Sequence, residues 1–285
     1  MLSNIVYVMI YGIVFASLYG IMTVGFSFVC GLGGFYDIAL PAYFMVAGFL
    51  YEILSGYIAG WALPVTVVAT GIICFAHYHV FIKRVREDAF VVFFATLFIA
   101  LIIENIFVYF FTISYIYHYH PIISGDFTLF GVRVSKNLIV GGIIGWIALF
   151  GLKYMTRYTN IGRAIIAIPQ SIRGSQVIGI DISRVQSFVY FLGGLLLGMG
   201  AYFYGSYLGI NATMWEHPLI IMFTITVVGG LGSIDGVMLA TLLVGVLEVA
   251  VVTLLDPRLK SVVILTVGIL ILIFRPKGFA GKRIG

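Results

Sequence analysis

The chain has 285 residues, of which 62 % are hydrophobic and only 9 % charged, with a strongly positive mean hydropathy. No water-soluble fold covers that much apolar surface with so few polar groups, so the bilayer is the expected solvent. A net charge of +5 raises nucleic acid as a partner, but the basic residues sit at the ends of apolar runs and form no aromatic-interleaved patch, which excludes it.

A helix needs about 20 apolar residues to cross a hydrocarbon core of roughly 30 Å, which leaves room for about eight to ten spans. A β-barrel would show short segments of alternating polarity, whereas Ile5 to Val29 runs without a charge. The expected fold is all-α: a polytopic membrane helix bundle forming a single domain over 1–285. Apolar runs bounded by charge, Gly or Pro predict spans at 5–29, 36–54, 60–82, 89–113, 137–155, 184–208, 217–229, 234–255 and 260–274. The first lacks a basic flank and is far longer than a signal-peptide core, so it is expected to remain uncleaved. Cys30 and Cys74 lie in or beside apolar stretches and read as packing residues.

Lys83, Arg84 and Arg86 follow the third span. Lys153, Arg157, Arg163, Arg173 and Arg184 lie between the fifth and sixth, and Arg275, Lys277, Lys282 and Arg283 close the chain. Alternating through nine crossings puts these on one side and only Arg133, Lys136, Arg258 and Lys260 on the other, which predicts an outside N-terminus and a cytoplasmic C-terminus. The segment Tyr115 to Gly131, with its Tyr-Ile-Tyr-His-Tyr-His-Pro run, then lies outside, as an aromatic belt or a partner contact. The connection at about 156–183 is the longest on the inside. It reads either as a solvated connector or as one short surface helix that Pro169 starts and Gly179 stops.

A faint repeat links Gly31-Leu32-Gly33-Gly34-Phe35-Tyr36-Asp37 to Gly230-Leu231-Gly232-Ser233-Ile234-Asp235, each followed by an apolar run reaching Glu52 or Glu248. The span before the second copy is too short to cross, so the pattern predicts two pseudo-repeated halves with Gly-broken helices. Such paired interruptions mark a transport path, or else the glycines only permit close helix packing. Acids inside a membrane are costly. Asp37 and Asp235 are placed to cap the following helices, and Glu52 is interfacial. Glu104 and Glu248 have no Lys or Arg at helical spacing, so each is protonated, paired across the bundle, or facing water. The pairs His77/His79 and His118/His120 have a spacing that does not converge on a helix face, which argues against a metal site. No G-x-S-x-G, H-E-x-x-H or P-loop occurs, so neither peptide hydrolysis nor ATP binding by this chain is expected.

From Thr159 the sequence reads T-N-I-G-R-A-I-I-A-I-P-Q-S-I-R-G-S-Q-V-I-G-I-D-I-S-R-V, and it continues through Leu192-Gly193-Gly194 and Gly198-Met199-Gly200. Val228 to Gly236 and Arg275-Pro276-Lys277-Gly278-Phe279-Ala280-Gly281 follow, with Ser17-Leu18-Tyr19-Gly20, Gly25 and the Gly31 cluster at the front. Over essentially its whole length the chain resembles the branched-chain amino acid ABC transporter permeases, and by length the shorter of their two permease subunits. It departs from the family's pattern at Asp37 to Pro41, where a Phe-Ala-His-Gly run is usual, and at Ile166 and Ser171, which replace an arginine and an acid.

The resemblance implies a path-forming subunit without a cofactor of its own. Its implied partners are a second permease subunit (a paralogue or a copy of itself), two cytoplasmic ATPase subunits that use ATP, an extracytoplasmic solute-binding protein and membrane lipid. It assigns Gly162, Arg163, Ala164, Gln170, Arg173, Gly174 and Gly179 to an ATPase-coupling segment, with Arg163, Arg173 and Arg184 holding it against lipid or the ATPase. Gly31, Gly33, Gly34, Asp37, Gly229, Gly230, Gly232 and Asp235 are expected to border the translocation path. Rival readings are a permease for urea, short amides or a sugar, and an ion-coupled secondary transporter.

Overall fold

The computed structural model describes residues 2–58, 60–111, 116–118, 121–275 and 278–280. The expected contributions of Tyr115, Tyr119, His120, Pro276, Lys277, Gly281, Lys282 and Arg283 lie outside these. In chain order the helices are α1 (Leu2–Gly33), α2 (Ala39–Ile58), α3 (Ala62–His77), α4 (Lys83–Val85), α5 (Ala89–Phe111), α6 (Lys136–Tyr158), α7 (Asn160–Ala167) and α8 (Ile172–Val177). They continue with α9 (Ile182–Leu208), α10 (Glu216–Gly229), α11 (Ile234–Leu254) and α12 (Lys260–Phe274). A π-helical turn, Tyr78–Ile82, joins α3 to α4 without a break, and a short 3-10 turn, Pro257–Leu259, leads into α12.

Among the described residues eight helical stretches are long and apolar enough to cross a membrane, and the fold is an all-α polytopic bundle. The seventh expected span, α10, has 14 residues, or about 21 Å at 1.5 Å per residue. The stretch before it, after Leu208, is not helical. Ile210, Ala212, Met214 and Trp215 are buried there, and the backbone of Ile210 pairs with that of Tyr117 through two 2.9 Å hydrogen bonds. Irregular backbone at membrane depth persists only where protein covers it, and here it does.

Helix α1 is the axis of the bundle and packs against α6, α9, α10 and α11. Lipid tails are as apolar as leucine, so the helices gain contact by close approach rather than by hydrophobic exclusion. Small residues on α1 allow it. A Cβ added to Gly25 would lie 2.7 Å from Gly193 Cα on α9, and one added to Gly12 would lie 2.8 Å from Val246 Cα on α11.

The connection between α5 and α6 contains an antiparallel hairpin that the sequence reading did not place: β1 (Asp126–Leu129) with β2 (Val132–Ser135), Asp126 opposite Ser135. Its two-residue turn puts Phe130 at φ +50° and Gly131 at +84°, a backbone normally signalled by Asn-Gly. Phenylalanine gives no such signal, which is why the turn stayed hidden.

Close approach at Gly25 predicts that Gly25→Val forces α1 from α9 and lowers stability by about 1–3 kcal/mol. Gly151→Val, with nothing within 4 Å of the added Cβ, should leave thermal unfolding in detergent unchanged.

Candidate coupling segment and glycine junction

The connection between α6 and α9 is two short helices, not the single one expected. Thr159 caps α7, accepting from the Gly162 amide at 3.0 Å. Buried Gly162 lets α7 fold back on α6, where an added Cβ would strike the Met155 carbonyl and Thr156. Pro169 does not start a helix. It lies in the turn after α7, where it cannot donate to the helical ladder, and Ser171 starts α8 by accepting from the Gly174 amide at 3.0 Å.

Gly179 does end that helix, as the sequence predicts, at φ +83°. Its amide donates to Gln176 O at 3.0 Å and the Ile180 amide to Ser175 O at 2.9 Å, the paired bonds of a Schellman stop.

Within the segment, Ala164, Ile165 and Ile168 are buried, whereas Arg163, Gln170, Arg173 and Gly174 are exposed. Arg163 donates to Asn160 Oδ1 at 2.8 Å and Gln170 to Ile166 O at 3.1 Å. Around Arg173 the surface is apolar: Ile172 is 56 %, Val177 86 % and Ile178 73 % exposed. Asp181 then caps α9, accepting from the Arg184 amide at 3.1 Å and pairing with the Arg184 guanidinium at 2.9 Å.

At this same basic end the two glycine clusters meet. Gly31 and Gly33 belong to the last turn of α1, and the break itself begins at Gly34, φ +69°. A Cβ on Gly31 would lie 2.6 Å from Gly232 Cα, and the Gly232 amide donates to Ser27 Oγ at 3.2 Å. In the second cluster Gly229 ends α10 and packs on Gly236, while Gly230 and Gly232 take φ +95° and +71° to turn the chain into α11. The segment 278–280 closes this turn from outside, with the Phe279 amide donating to Val228 O at 2.8 Å and the Ala280 amide to Gly229 O at 3.3 Å.

The two aspartates have different fates. Asp235 is not the cap of α11. Ser233 accepts from the Gly236 amide at 3.2 Å in that role, and Asp235 pairs with Lys153 and Arg157 of α6 at 2.5 and 2.7 Å. Asp37 does accept from the Ala39 amide, at 3.0 Å through Oδ1, but it is fully buried and does more. Its Oδ2 accepts from the Tyr190 hydroxyl of α9 at 2.8 Å and lies 3.1 Å from His77 Nε2 of α3. His77 Nδ1 in turn lies 2.9 Å from the Tyr43 hydroxyl of α2, so the tautomer with hydrogen on Nε2 satisfies all four groups.

A second polar layer lies on the coupling-segment side of this cluster. Tyr78 and Arg86 donate to Gln186 Oε1 at 3.0 and 2.8 Å, and Ser187 Oγ lies 3.1 Å from His79 Nε2. These bonds fasten the π-helical turn and Arg86 to the first turns of α9, which a four-residue link, 178–181, joins to α8.

Sequence reasoning weighed the histidines only as metal ligands and missed this use. The available signal was the pairing of an intramembrane acid with intramembrane histidine, which a bilayer forces together. Glu248, the second deep acid, is paired across the bundle: its Oε1 lies 3.2 Å from His217 Nε2 of α10 and 3.5 Å from Lys260 Nζ of α12.

Removing the acceptor at the centre should be far worse than removing one donor. Asp37→Ala is expected to cost about 3–5 kcal/mol by leaving buried polar groups unpaired, and Tyr190→Phe about 1 kcal/mol. Thermal unfolding of both in detergent decides it, and equal effects would contradict the central place of Asp37.

A family model for the permease component of branched-chain amino acid transport systems matches residues 8–273. A high-affinity branched-chain amino acid transport system permease protein, BraD of Pseudomonas aeruginosa, is 30 % identical over 161 residues, covering 56 % of this chain and 52 % of the relative. LivH of Escherichia coli, with the same description, is 28 % identical over 154 residues, covering 54 % and 50 %. The chain thus spans about half the length of the curated relatives it matches. No solved structure matches it. With nearly the whole chain inside the family model and eight helices among the described residues long and apolar enough to cross a membrane, this multi-pass membrane protein belongs to the family of branched-chain amino acid transport permease components.

Proposed function

We propose that the chain is one permease subunit of an ATP-driven ABC importer for amino acids, most simply branched-chain ones, and that it catalyses no reaction itself. The observation that carries this reading is the exposed apolar and basic surface of α7 and α8, joined by a buried polar relay to the bundle core. Ile172, Val177 and Ile178 around Arg173 form a patch with no use in an isolated subunit, and it suits a cytoplasmic ATPase docking there. Partners in this reading are two ATPase subunits that bind the ATP, a second permease subunit and an extracytoplasmic solute-binding protein. The N-terminus lies outside and the basic end faces the cytoplasm.

Closure of the ATPases pushes on Gly162 to Gly179. Helix α9 continues from that segment, and Gln186, Ser187 and Tyr190 pass its displacement to Tyr78, His79, His77 and Asp37. Asp37 is the last residue but one of the turn between α1 and α2, so motion of α9 reaches the glycine junction. There Gly31, Gly33, Gly34, Gly229, Gly230, Gly232 and Asp235 border the inner end of the path, and Gly34 is exposed on it.

Uptake into membrane vesicles tests the reading. Solute accumulation should require ATP on the side of α8 and should persist with an uncoupler. Accumulation that ignores ATP and collapses with the uncoupler would establish the ion-coupled alternative, which the buried Asp37–His77 pair also favours. Gly174→Glu, which crowds the Ser171 cap 2.9 Å away and places an acid on the docking patch, should abolish uptake and its coupled ATP hydrolysis while the chain still inserts. Val177→Cys should react with a membrane-impermeant thiol reagent from the cytoplasmic face alone.

A further inference from the structure

Helices α6 and α11 leave a groove between them at the basic end of the bundle. It holds about 570 Å³ and is walled by Trp146 and Phe150 of α6 and by Met238, Leu239 and Leu242 of α11, with Ile13 of α1 at one end. The walls are apolar and open outward: Phe150 is 57 % and Leu239 56 % exposed, and the Trp146 and Phe150 rings lie 5.9 Å apart. The other end is ionic. Lys153 and Asp235 line the groove there, and Arg157 pairs with the same carboxylate.

The groove has the length of one leaflet. Gly12, next to Ile13, packs against Val246, so the apolar end lies level with Val246 while the ionic end lies at Asp235. Along α11 that separation is about 16 Å at 1.5 Å per residue, half of a hydrocarbon core of roughly 30 Å. The ionic end sits at the membrane surface, since exposed Tyr154 and Tyr158 accompany Lys153 and Arg157 on α6 as interfacial aromatics do. From that surface the groove reaches the middle of the membrane and stops.

Charge at the ionic end is unbalanced. Lys153 and Arg157 carry two positive charges against the single negative charge of Asp235. An ammonium has three donors and a guanidinium five, and among the described residues each group makes one contact, to Asp235, so most of these donors remain for a second anion. A helix from another subunit crosses both leaflets and needs a seam twice this length. A phospholipid spans one leaflet and carries its phosphate at the surface end.

We infer that the groove is a binding site for an anionic phospholipid of the leaflet at the basic end, with an acyl chain along Trp146, Phe150, Leu239 and Leu242 and the phosphate on Lys153 and Arg157. Basic pockets between membrane helices recognise lipid headgroups in this way. A zwitterionic lipid brings a cation of its own, which the two bases repel, so the site selects by net charge. Asp235 gives the site its consequence. Its backbone follows the glycine turn and its carboxylate belongs to the groove, so a phosphate held by Lys153 and Arg157 braces the glycine junction from the membrane side. The site requires only that the chain spans a membrane, and it stands or falls apart from the importer reading.

Quenching of Trp146 fluorescence by lipids brominated in their acyl chains tests this. The chain is purified with whatever subunits stay bound and reconstituted in phosphatidylcholine vesicles, and the Trp146 signal is the difference between the unaltered chain and Trp146→Phe. Brominated phosphatidylglycerol should quench it at a several-fold lower fraction of total lipid than brominated phosphatidylcholine. Lys153→Gln combined with Arg157→Gln should remove that preference. Ile147→Trp in the Trp146→Phe background reports from the neighbouring face of α6, where residue 147 is 65 % exposed outside the groove, and should be quenched equally by both lipids. Equal quenching of Trp146 by the two lipids, or the same preference at position 147, would reduce the site to ordinary surrounding lipid and overturn the inference. So would a preference that survives the double replacement. Absence of any quenching at Trp146 would overturn it too, because another chain then fills the groove. The comparison at Trp146 needs neither charge-altered variant to fold.

Discussion

A carboxylate in a bilayer has no water to solvate it, so it is held by donors from its own protein or by whatever the protein admits. Asp37 shows the first solution. Its two oxygens collect an amide from the start of α2, a hydroxyl from α9 and the imidazole of α3. Three helices and the turn after α1 are thereby fixed to one buried point, and none can shift without disturbing the others. The bundle around it is otherwise held by non-directional packing, which tolerates sliding far better than a satisfied polar cluster does.

This arrangement gives mechanical meaning to the neighbouring layer. Tyr78, His79, Arg86, Gln186 and Ser187 lie between the Asp37 cluster and the start of α9, and the π-helical turn carries two of them. Wider turns of this kind recur at functional sites because they reorient side chains without ending the helix. Here the turn brings adjacent Tyr78 and His79 to the same helix, α9. Displacement of α8 thus has a short, hydrogen-bonded route into the membrane.

The glycine clusters serve a second function that neither copy reveals alone. Each lets the chain reverse at the basic end, and each also offers a surface thin enough for the other to touch. Gly31 against Gly232 brings the ends of α1 and α10 to backbone contact, and the Ser27 hydroxyl supplies the bond that the Gly232 amide needs there. Ion pairs from α6 to Asp235 then brace the same turn from its exposed side. The sequence reading predicted broken helices at these glycines and offered a transport path and close packing as alternatives for their role. The structure shows close packing at the breaks themselves.

Long uncharged runs determined the class of fold, the order of the long spans and the short seventh apolar run, because helix length in a bilayer is a matter of apolar residues per turn and needs no partner. Local chemistry likewise determined the stop at Gly179, a position that demands a left-handed backbone. What depended on residues distant in the chain was decided only by tertiary structure. Asp37 and His77 are 40 positions apart and Asp37 and Tyr190 153, so no periodicity links them. The choice of Ser233 over Asp235 as the cap turned on the nearness of Lys153 and Arg157, which only the packing of α6 against α11 provides. Pairing in a membrane follows from which polar groups the bundle leaves without water, and that is a property of the assembled helices.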